Sequence, residues 1–520
     1  MPRAQGPPPN VPPGAPPDVP PGAPPDVPPA APSPRDLCFF PLTTPTSIEL
    51  ARELWRDDPM STHPKTVPHR TYLEESELPR AWYNIRADLE VPMPPFLHPA
   101  THAPVTVDDL CGIFPRSIAE QELSTERFIE IPEEVRELYK SFRPSPLCRA
   151  YNLEKALGTP ARIYDKYEGN NPSGSHKLNS AVAQVHFNRA AGVKRITTET
   201  GGGQWGSALA IACKMAGLDC TVYMVKVSYE QKPYRRILME TYGGKVVASP
   251  SDTTEAGRKV LAAHPDSLGS LGGAISEAVE DALAHADTTR YALGSVLNHV
   301  LLHQTIIGLE ARQQMAKIGE YPDVVIGCCG GGSNFSGIAN PFLMDRLREG
   351  RKVRAVTIEP AACPSLTRGK YAYDFGDLSH FTPLMPMYTL GHMFEPPGIH
   401  AGGLRYHGVA PILAHLFHEG IVECESVLQR DVFEAAVLFA QNEVILPAPE
   451  SAHAILGAIN EAKRCKETGE EKVILFSLSG CGYFDMTAYQ SYLSGEMQNY
   501  ALSDELLAQG IASASEVPIK

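Results

Sequence analysis

The chain has 520 residues, of which 43% are hydrophobic and 20% are charged. This is the composition of a globular enzyme long enough for at least two domains. A formal net charge of −14 argues against a protein that binds the phosphate backbone of nucleic acids. We find no apolar run that could span a membrane and no secretory leader. The 11 cysteines are scattered without zinc-type spacing, so we expect free thiols, no metal site and a cytoplasmic location.

The N-terminal part of the chain divides into two segments by composition. Residues 1–36 are rich in proline, and the unit VPPGAPPD begins at Val11 and recurs at Val19. Such a segment has little to bury, so we predict an extended or disordered tail, with a site for a proline-reading partner as the alternative. Residues 37–134 hold aromatic residues and short amphipathic pieces such as SIELARELWRDD. We predict that they form an ordered extension wrapping the catalytic body.

Beyond Pro144, short β-rich runs alternate with alanine-rich helical stretches. VKRITTE leads into GGGQWGSALAIACKMAG, DVVIGCC into GGGSNFSG, and EKVILFSLSG into CGYFDMTAYQSYL. Strand, glycine turn and helix in repetition predict an α/β fold with open, mostly parallel sheets, whose ligands bind beyond the carboxyl ends of the strands. We predict domains over residues 135–310 and 311–495, with the ligand in the cleft between them, and a C-terminal tail over 496–520.

A lysine stands where a helix is predicted to begin, in YEGNNPSGSHKLNSAVAQ. A helix N-terminus disfavours positive charge, so Lys177 is misplaced there as an ammonium group. The placement is reasonable if the amine is unprotonated and nucleophilic, as an imine-forming lysine must be. An exposed lysine in an ordinary helix is the alternative.

Four further loops follow strands or begin helices. GCCGGGSNFSG, Gly327 to Gly337, suits a backbone nest for a phosphate and lacks a nucleotide-binding pattern. TETGGGQWGSALA could present amide hydrogens to a second anion, with Glu199 as an acid or base at its edge. LPAPESAHAI places Glu450 ahead of a helix, and SLSGCGYFD places Ser479 at a strand end. The alternatives are that the Gly327–Gly337 glycines serve packing alone and that Glu199 is a solvated surface residue. Glu450 could be an acid in the first turn of a helix, and Ser479 a helix cap.

The order GSHK, ETGGGQWG, GGGSN, PESAH and LSGCG resembles the β chain of tryptophan synthase, a fold-type II pyridoxal-phosphate enzyme. The segments TVYMVKVSYEQKPYRRILMETYG and YALGSVLNHVLLHQTIIGLE resemble its divergent second type. The resemblance runs from about Trp82 to Tyr492. It implies synthesis of L-tryptophan from indole and serine through an aminoacrylate.

The resemblance also implies roles for individual residues. Lys177 would carry the cofactor and then remove the Cα proton, and Glu199 would assist loss of the β-substituent and steer the indole nitrogen. Ser479 would meet the pyridine nitrogen, a pairing that leaves this nitrogen neutral and favours β-replacement. The other implied cofactor-binding residues are His176, Asn179, Gly330, Gly331, Gly332, Ser333, Asn334 and Glu450, and the implied substrate-binding residues are Thr200, Gly201, Gly203 and Gln204.

The sequence departs from the commoner β chains at two points. Where those chains have GAGQHG, this chain has Gly202 and Trp205, which predicts a bulkier edge to the substrate loop. Arg405, in GGLRYHG, stands where those chains have an aspartate that contacts the hydroxyl of the serine substrate. An arginine reverses the local charge, so we hypothesise that O-phosphoserine is used beside or instead of L-serine.

The sequence leaves two other functions open. One is a β-eliminating lyase of the serine or threonine dehydratase type, and the other is a non-catalytic interaction subunit that keeps the fold. The family further implies a homodimer, and its members often use a monovalent cation, for which the sequence shows no site. The tryptophan synthase α subunit is another possible partner, although the 37–134 extension argues against its standard docking.

Overall fold

Strands in parallel arrangement form the framework of the fold. The computed structural model describes residues 67–519, so the predicted proline-rich tail and the SIELARELWRDD piece lie outside the described residues. Within this range the strands are β1 Arg70–Thr71, β2 Ala81–Tyr83, β3 Phe128–Glu130, β4 Leu147–Arg149, β5 Arg162–Tyr167, β6 Arg195–Thr200, β7 Asp219–Val225, β8 Lys245–Ser249, β9 Thr289–Tyr291, β10 Val324–Cys328, β11 Arg354–Pro360, β12 Lys370–Phe375, β13 Leu384–Thr389, β14 Glu423–Val427 and β15 Val473–Leu478.

Helices follow most of these strands. They are α1 Val107–Leu110, α2 Arg116–Leu123, α3 Glu133–Tyr139, α4 Tyr151–Leu157, α5 Leu178–Ala190, α6 Gln204–Ala216, α7 Lys226–Gln231, α8 Pro233–Thr241, α9 Glu255–Ala263, α10 Leu271–Ala284, α11 Asn298–Gln304, α12 Ile306–Lys317, α13 Ser333–Glu349, α14 Ser365–Arg368, α15 Pro411–His418, α16 Gln429–Glu443, α17 Pro449–Thr468, α18 Met486–Leu493 and α19 Asp504–Ile511. Short 3₁₀ helices cover Glu75–Glu77, Ile85–Asp88 and Gly402–Leu404. Within residues 67–519, no helix combines the length and apolarity needed to cross a membrane.

Two main sheets carry the fold. The larger has the strand order β1-β4-β5-β15-β10-β11-β14, and its strands from β5 onward are parallel. The smaller has the order β8-β7-β6-β9 and is parallel throughout. Every residue of β15 is buried, because parallel sheets are covered by helices on both faces. The predicted α/β fold with mostly parallel sheets is confirmed.

The described part of the extension, residues 67–134, packs against the rest of the chain. Trp82 and Tyr83 are fully buried in the largest hydrophobic cluster, which also contains residues of α5, α6 and α13. At the other end, α19 comes after a chain segment in which Leu502 donates its backbone N–H to the Ala361 carbonyl. Val67–Lys520 forms one compact unit. The finer domain boundaries that the sequence predicts stay predictions.

A buried cluster of charges ties the loop before β4 and the end of β5 to α5 and α12. The Arg143 guanidinium donates to Glu168 at 2.7 Å and to Glu310 at 2.8 Å, and Lys166 donates to Glu310 at 2.7 Å. None of these four side chains is more than 1% exposed. The Arg143 guanidinium also donates to the side chain of Asn179 at 2.7 Å. Each charge has a partner, which is the condition under which buried charges are tolerated.

We predict that Arg143→Leu lowers the free energy of unfolding by about 3–5 kcal/mol, because it leaves two buried carboxylates short of a partner. Urea denaturation of the purified protein measures the change. Lys259→Ala is the control, since Lys259 pairs with Glu255 on the exposed surface and its removal should leave the denaturation midpoint unchanged. Equal midpoints for wild type and Arg143→Leu would contradict the stabilising role of the cluster.

Candidate active site

A pocket of about 450 Å³, including its open mouth, lies at the carboxyl ends of strands from both sheets. Residues at the start of α5, the loop between β10 and α13, and the end of β15 line it. A second pocket adjoins it at the loop between β6 and α6 and shares Lys177, Gln204 and Gly331 with the first. Together the two pockets are lined by these predicted site residues: His176, Lys177, Glu199, Thr200, Gly201, Gln204, Gly330, Gly331, Gly332, Ser333, Asn334, Glu450 and Ser479.

Lys177 immediately precedes α5 and lines both pockets. Its amine donates a hydrogen bond to the Gly294 carbonyl at 2.9 Å. Burial lowers the pKa of the Lys177 amine to about 8, against the opposing charges of Glu199 and Glu450. The amine is therefore available without its proton much closer to neutral pH than an ordinary lysine, as the sequence led us to expect.

Glu199 lies near the end of β6, buried to 3% exposure, and lines the second pocket. The Tyr291 hydroxyl donates to its carboxylate at 2.5 Å. Burial raises the pKa of Glu199 to about 7, and the Tyr291 hydrogen bond opposes this rise. A carboxyl group with this pKa can donate and accept protons at neutral pH, which is what a general acid or base requires.

The loop Gly330–Gly332 and the first residues of α13 form an open row of backbone amides. Gly332 has φ +98°, and a Cβ atom at Gly331 would lie 2.2 Å from the Ser295 hydroxyl oxygen. At Gly330 a Cβ would lie 2.7 Å from the Gly403 carbonyl oxygen. Side chains are thus excluded, and the loop lines the pocket at the N-terminus of a 17-residue helix. This arrangement suits a phosphate dianion.

His176 closes the other side of this nest. Its Nε2 lies 3.4 Å from the Ser333 hydroxyl and its Nδ1 3.3 Å from the Ser479 carbonyl oxygen. Burial, and next the charge of Lys177, lower the pKa of His176 to about 3, so the imidazole is neutral. The phosphate nest therefore lies within the same pocket as the lysine amine. The residues present fit pyridoxal phosphate: the glycine loop would hold its phosphate, and the Lys177 amine would react with its aldehyde.

Ser479 and Glu450 also line the first pocket, which contains both the glycine loop and Lys177. The Ser479 hydroxyl lies 2.9 Å from the Ser451 hydroxyl, and a Glu450 carboxylate oxygen accepts the Gly403 N–H at 2.8 Å. Burial acts to raise the pKa of Glu450, but the charge of Lys232 and the Gly403 N–H hold it below its usual value. Ser479 is thus the uncharged group, and Glu450 the charged one, at this side of the pocket.

The loop between β6 and α6 lies beside Lys177. The Thr200 hydroxyl oxygen accepts the N–H of Gly203 at 3.1 Å and that of Gly206 at 3.2 Å, which fixes the turn. Thr200, Gly201 and Gln204 line the pocket. Gly203, at φ +94°, does not line either pocket, and its N–H is already donated. The Trp205 ring also lines the second pocket and donates to Thr198 at 2.6 Å.

Besides Gly203, the structure leaves two further predicted residues, Asn179 and Arg405, outside the lining of both pockets. Asn179 points into the buried charge cluster, where it donates to Glu168 and Gln304 at 3.0 Å each. Arg405 is 5% exposed and donates to the Ser228 hydroxyl at 3.0 Å, while its neighbours Leu404 and Tyr406 line the pockets. Across residues 67–519, no set of three or more His, Cys, Asp and Glu side chains is arranged to hold a metal ion.

Three residues at the site were not predicted from the sequence. They are Tyr291, which contacts Glu199, Gly294, which accepts from Lys177, and Ser451, which contacts Ser479. Ser451 stands inside the PESAH motif and the other two in YALGSV, both noted in the sequence. No local signal separates them from packing residues, because their partners lie 28 to 117 positions away.

Comparison with known proteins agrees with this geometry. A family model described as pyridoxal-phosphate dependent enzyme matches residues 138–480. The chain is 58% identical over 425 residues to tryptophan synthase beta chain 2 of Methanosarcina acetivorans, covering 82% of this chain and 96% of that protein. It is 58% identical over 428 residues to the protein of the same name from Aquifex aeolicus, covering 82% and 98%.

Among solved structures, the chain is similar to a fungal L-serine ammonia-lyase from Rhizomucor miehei. That match has 16% identity and a TM-score of 0.49, and it covers 68% of this chain and 98% of that one. The family is established by the sequence relatives and the matching family model. The chain belongs to the pyridoxal-phosphate-dependent enzymes, and within them to the family of tryptophan synthase beta chains.

Proposed function

We propose that this chain is a lyase that makes L-tryptophan from indole and a serine-type donor with pyridoxal phosphate as cofactor. The observation that carries the proposal is one shared site. Lys177, with a pKa near 8, and Glu199, with a pKa near 7, line the same pocket, and an amide nest for a phosphate adjoins it. The names of the curated relatives supply the reaction, and the pocket supplies groups suited to each of its proton transfers.

Lys177 would hold the cofactor and later take the proton from the substrate Cα. Both tasks need an amine without its proton, and burial provides it at the pH where an ordinary lysine is charged. When bound, pyridoxal phosphate supplies an electron-withdrawing ring that stabilises negative charge at the substrate Cα. The Gly294 carbonyl, 2.9 Å from the amine, holds the lysine beside Trp205 and Glu199 when the amine is free.

Glu199 would manage the second pair of proton transfers. As a neutral acid it would protonate the departing β-hydroxyl, which leaves as water. As the resulting carboxylate it would accept the indole N–H and orient the ring for attack. Apolar residues of a third cavity, which shares Ile275, Leu293 and Tyr406 with the second pocket, offer space for an aromatic ring behind Tyr291.

The substrate carboxylate would meet the turn between β6 and α6. Thr200, Gly201 and Gln204 line the pocket there, and Gly201 has no room for a side chain because its Cβ would lie 2.9 Å from the Gly402 carbonyl oxygen. Asn179 would act on the cofactor only through the position of α5, since its side chain lies in the charge cluster. The residues that would hold the cofactor phosphate are His176, Gly330, Gly331, Gly332, Ser333 and Asn334.

A product assay with indole plus L-serine or O-phosphoserine, without any added subunit, tests the proposal. We expect tryptophan from wild type and none from Lys177→Ala. Pyruvate that does not give way to tryptophan when indole is added would favour a dehydratase-type lyase. Failure of pyridoxal phosphate to form a borohydride-sensitive imine would favour a non-catalytic subunit.

The pH dependence of cofactor binding provides an independent prediction for Lys177. The free amine is the nucleophile, so the rate at which apo-protein condenses with pyridoxal phosphate should rise with pH. The midpoint should lie near pH 8, because burial lowers the pKa of this amine to about 8. Stopped-flow absorbance across a pH range of roughly 6–11, which brackets this pKa and that of an ordinary lysine, measures it. The Lys177→Ala variant gives the background, which is condensation with exposed lysines. A wild-type midpoint at the ordinary lysine pKa of about 10.4 would show that the Lys177 amine is not desolvated.

Glu199→Gln should lower kcat for tryptophan synthesis by about 10²–10⁴-fold, the usual contribution of a general acid or base. Tyr291→Phe should have a smaller effect on rate but should move the alkaline limb of the kcat profile to higher pH. The reason is that the Tyr291 hydrogen bond holds the pKa of Glu199 down, so its loss raises that pKa further. Equal kcat profiles for wild type and Tyr291→Phe would show that Tyr291 does not act on the pKa of Glu199.

The surroundings of Arg405, which lies behind the pocket lining, support the hypothesis that O-phosphoserine is used beside or instead of L-serine. Its guanidinium is buried, its Nε has no hydrogen-bond partner, and no carboxylate of residues 67–519 forms an ion pair with it. Burial lowers the pKa of Arg405, and the charges of Cys363, Glu450 and Glu395, none of which forms an ion pair with it, only partly oppose this. An arriving phosphate group would supply an adjacent counter-charge, and a guanidinium matches phosphate oxygens in bidentate geometry. We therefore include O-phosphoserine among the proposed donors.

Arg405→Asp should shift the ratio of kcat/KM for O-phosphoserine over kcat/KM for L-serine toward L-serine, by at least about tenfold for the loss of a charge-assisted hydrogen bond. Steady-state kinetics with both donors measure the ratio. Arg405→Lys is the matched control, because it keeps the charge and loses the planar fork, so its ratio should fall in between. An unchanged ratio in Arg405→Asp would end the hypothesis.

The assembly and location stay predictions of the sequence. A homodimer and a monovalent cation rest on the family resemblance, the cytoplasmic location rests on the scattered cysteines, and the doubt about an α subunit rests on the 37–134 extension. Size-exclusion chromatography with light scattering, run on the protein alone and with an α subunit added, would test the homodimer and the docking of the α subunit.

A further inference from the structure

We infer that Ser451 fixes the direction of the Ser479 hydroxyl, so that Ser479 donates its proton into the pocket and keeps the cofactor's ring nitrogen unprotonated. Ser451 is a positioning residue in this scheme, because it would act on the ring only through Ser479. The inference rests on the proposed function and adds a residue to it.

Ser451 lies in the first turn of α17 and is fully buried. Its hydroxyl contacts three groups, all from the end of β15 and the loop after it. It accepts the Gly480 N–H at 2.8 Å, and it lies 2.9 Å from the Ser479 hydroxyl and 3.2 Å from the Gly480 carbonyl oxygen. None of these groups belongs to its own helix, so the hydroxyl does not serve as a helix cap.

The count of protons and acceptors favours one direction for the Ser451–Ser479 hydrogen bond. Ser451 has one hydroxyl proton and two acceptors within reach. The Gly480 carbonyl oxygen is the more distant, and it already accepts the Ala448 N–H at 2.9 Å. The Ser479 oxygen is nearer, at 2.9 Å against 3.2 Å. Donation from Ser451 to Ser479 is therefore the better use of the proton.

Cys328 reinforces this arrangement from the other side. Its sulfur lies 3.9 Å from the Ser479 hydroxyl and already accepts from the Asn334 amide at 3.2 Å. Burial raises the pKa of the Cys328 thiol to about 12, so the group keeps its proton and carries no charge that would attract the Ser479 hydroxyl proton. A thiol sulfur at 3.9 Å is a weak acceptor, so the pocket, which both Cys328 and Ser479 line, is the better direction for that proton.

The consequence for the cofactor is a change in the basicity of its ring nitrogen. A hydroxyl that can only donate stabilises the unprotonated nitrogen. A hydroxyl that is free to turn can also accept, and so it stabilises the protonated nitrogen equally well. Without Ser451 the ring nitrogen should hold its proton to higher pH, the electron sink should deepen, and transamination should compete better with β-replacement.

The experiment uses the full chain loaded with pyridoxal phosphate that carries ¹⁵N in the ring. The ¹⁵N chemical shift, followed against pH, gives the midpoint at which the ring nitrogen loses its proton. We expect Ser451→Ala to move this midpoint to higher pH and to raise the fraction of turnovers that end in transamination. Ser451→Cys keeps the volume and a weak donor, so it should give an intermediate midpoint and remains measurable should the alanine variant not fold.

Ser276→Ala is the matched control. Ser276 is also fully buried and donates to Asp377 at 2.8 Å and to the Gly272 carbonyl at 3.2 Å, but it lines neither pocket. A merely structural effect would appear in thermal stability for both variants and would leave both ¹⁵N midpoints at the wild-type value. If Ser451→Ala and Ser451→Cys both keep the ¹⁵N midpoint of the wild type, the inference is overturned. The proposed function still stands in that case, provided that the wild-type protein shows the imine absorbance. A wild-type protein that forms no imine would overturn the proposed function itself.

Discussion

The desolvation of one amine is the constraint on which the rest of the site depends. Lys177 can serve as a nucleophile near neutral pH because its surroundings lower its pKa to about 8. The same burial would make the amine useless if the carboxylates nearby held it as an ammonium ion in a tight pair. The described structure gives it the neutral Gly294 carbonyl as a hydrogen-bond acceptor instead, and burial keeps Glu199 half-neutral against the opposing hydrogen bond from Tyr291.

Holding this amine in place needs a rigid support for the start of α5. Asn179, two residues further on, is fully buried and joins Arg143, Glu168 and Gln304 in one hydrogen-bonded network. Its partners come from the loop before β4, from the residue after β5 and from α11. The network therefore fixes the first turn of α5 relative to these three parts of the chain. A cluster of fully buried charges has little tolerance for movement, because each displaced charge loses its only compensation.

The sequence predicted the fold and most of the pocket because the relevant signals are local. A β-rich run, a glycine turn and an alanine-rich helix specify a parallel strand together with its turn and its covering helix, and this rule located the loops around Lys177, Glu199, Gly330 and Ser479. Contacts between distant segments leave no such signal. Asn179 was expected at the cofactor and lies in the charge cluster, since nothing near it in sequence announces Arg143 or Glu310. Ser451 and Tyr291 were missed for the same reason.

The environment of each side chain in the pocket, more than its residue type, sets the pH at which it gains or loses a proton. Burial lowers the pKa of Lys177 and raises that of Glu199, so the two values approach each other from opposite directions. Groups whose protonated and unprotonated forms are close in free energy can exchange protons with a substrate at little cost. Beside the glycine loop His176 is held neutral, and Ser479, which we propose to meet the ring nitrogen, is a hydroxyl that contacts a second hydroxyl, that of Ser451. The group that we propose to meet the ring nitrogen is thus an uncharged hydroxyl, whereas Lys177 and Glu199, whose pKa values lie near neutral pH, stand where we propose that protons move.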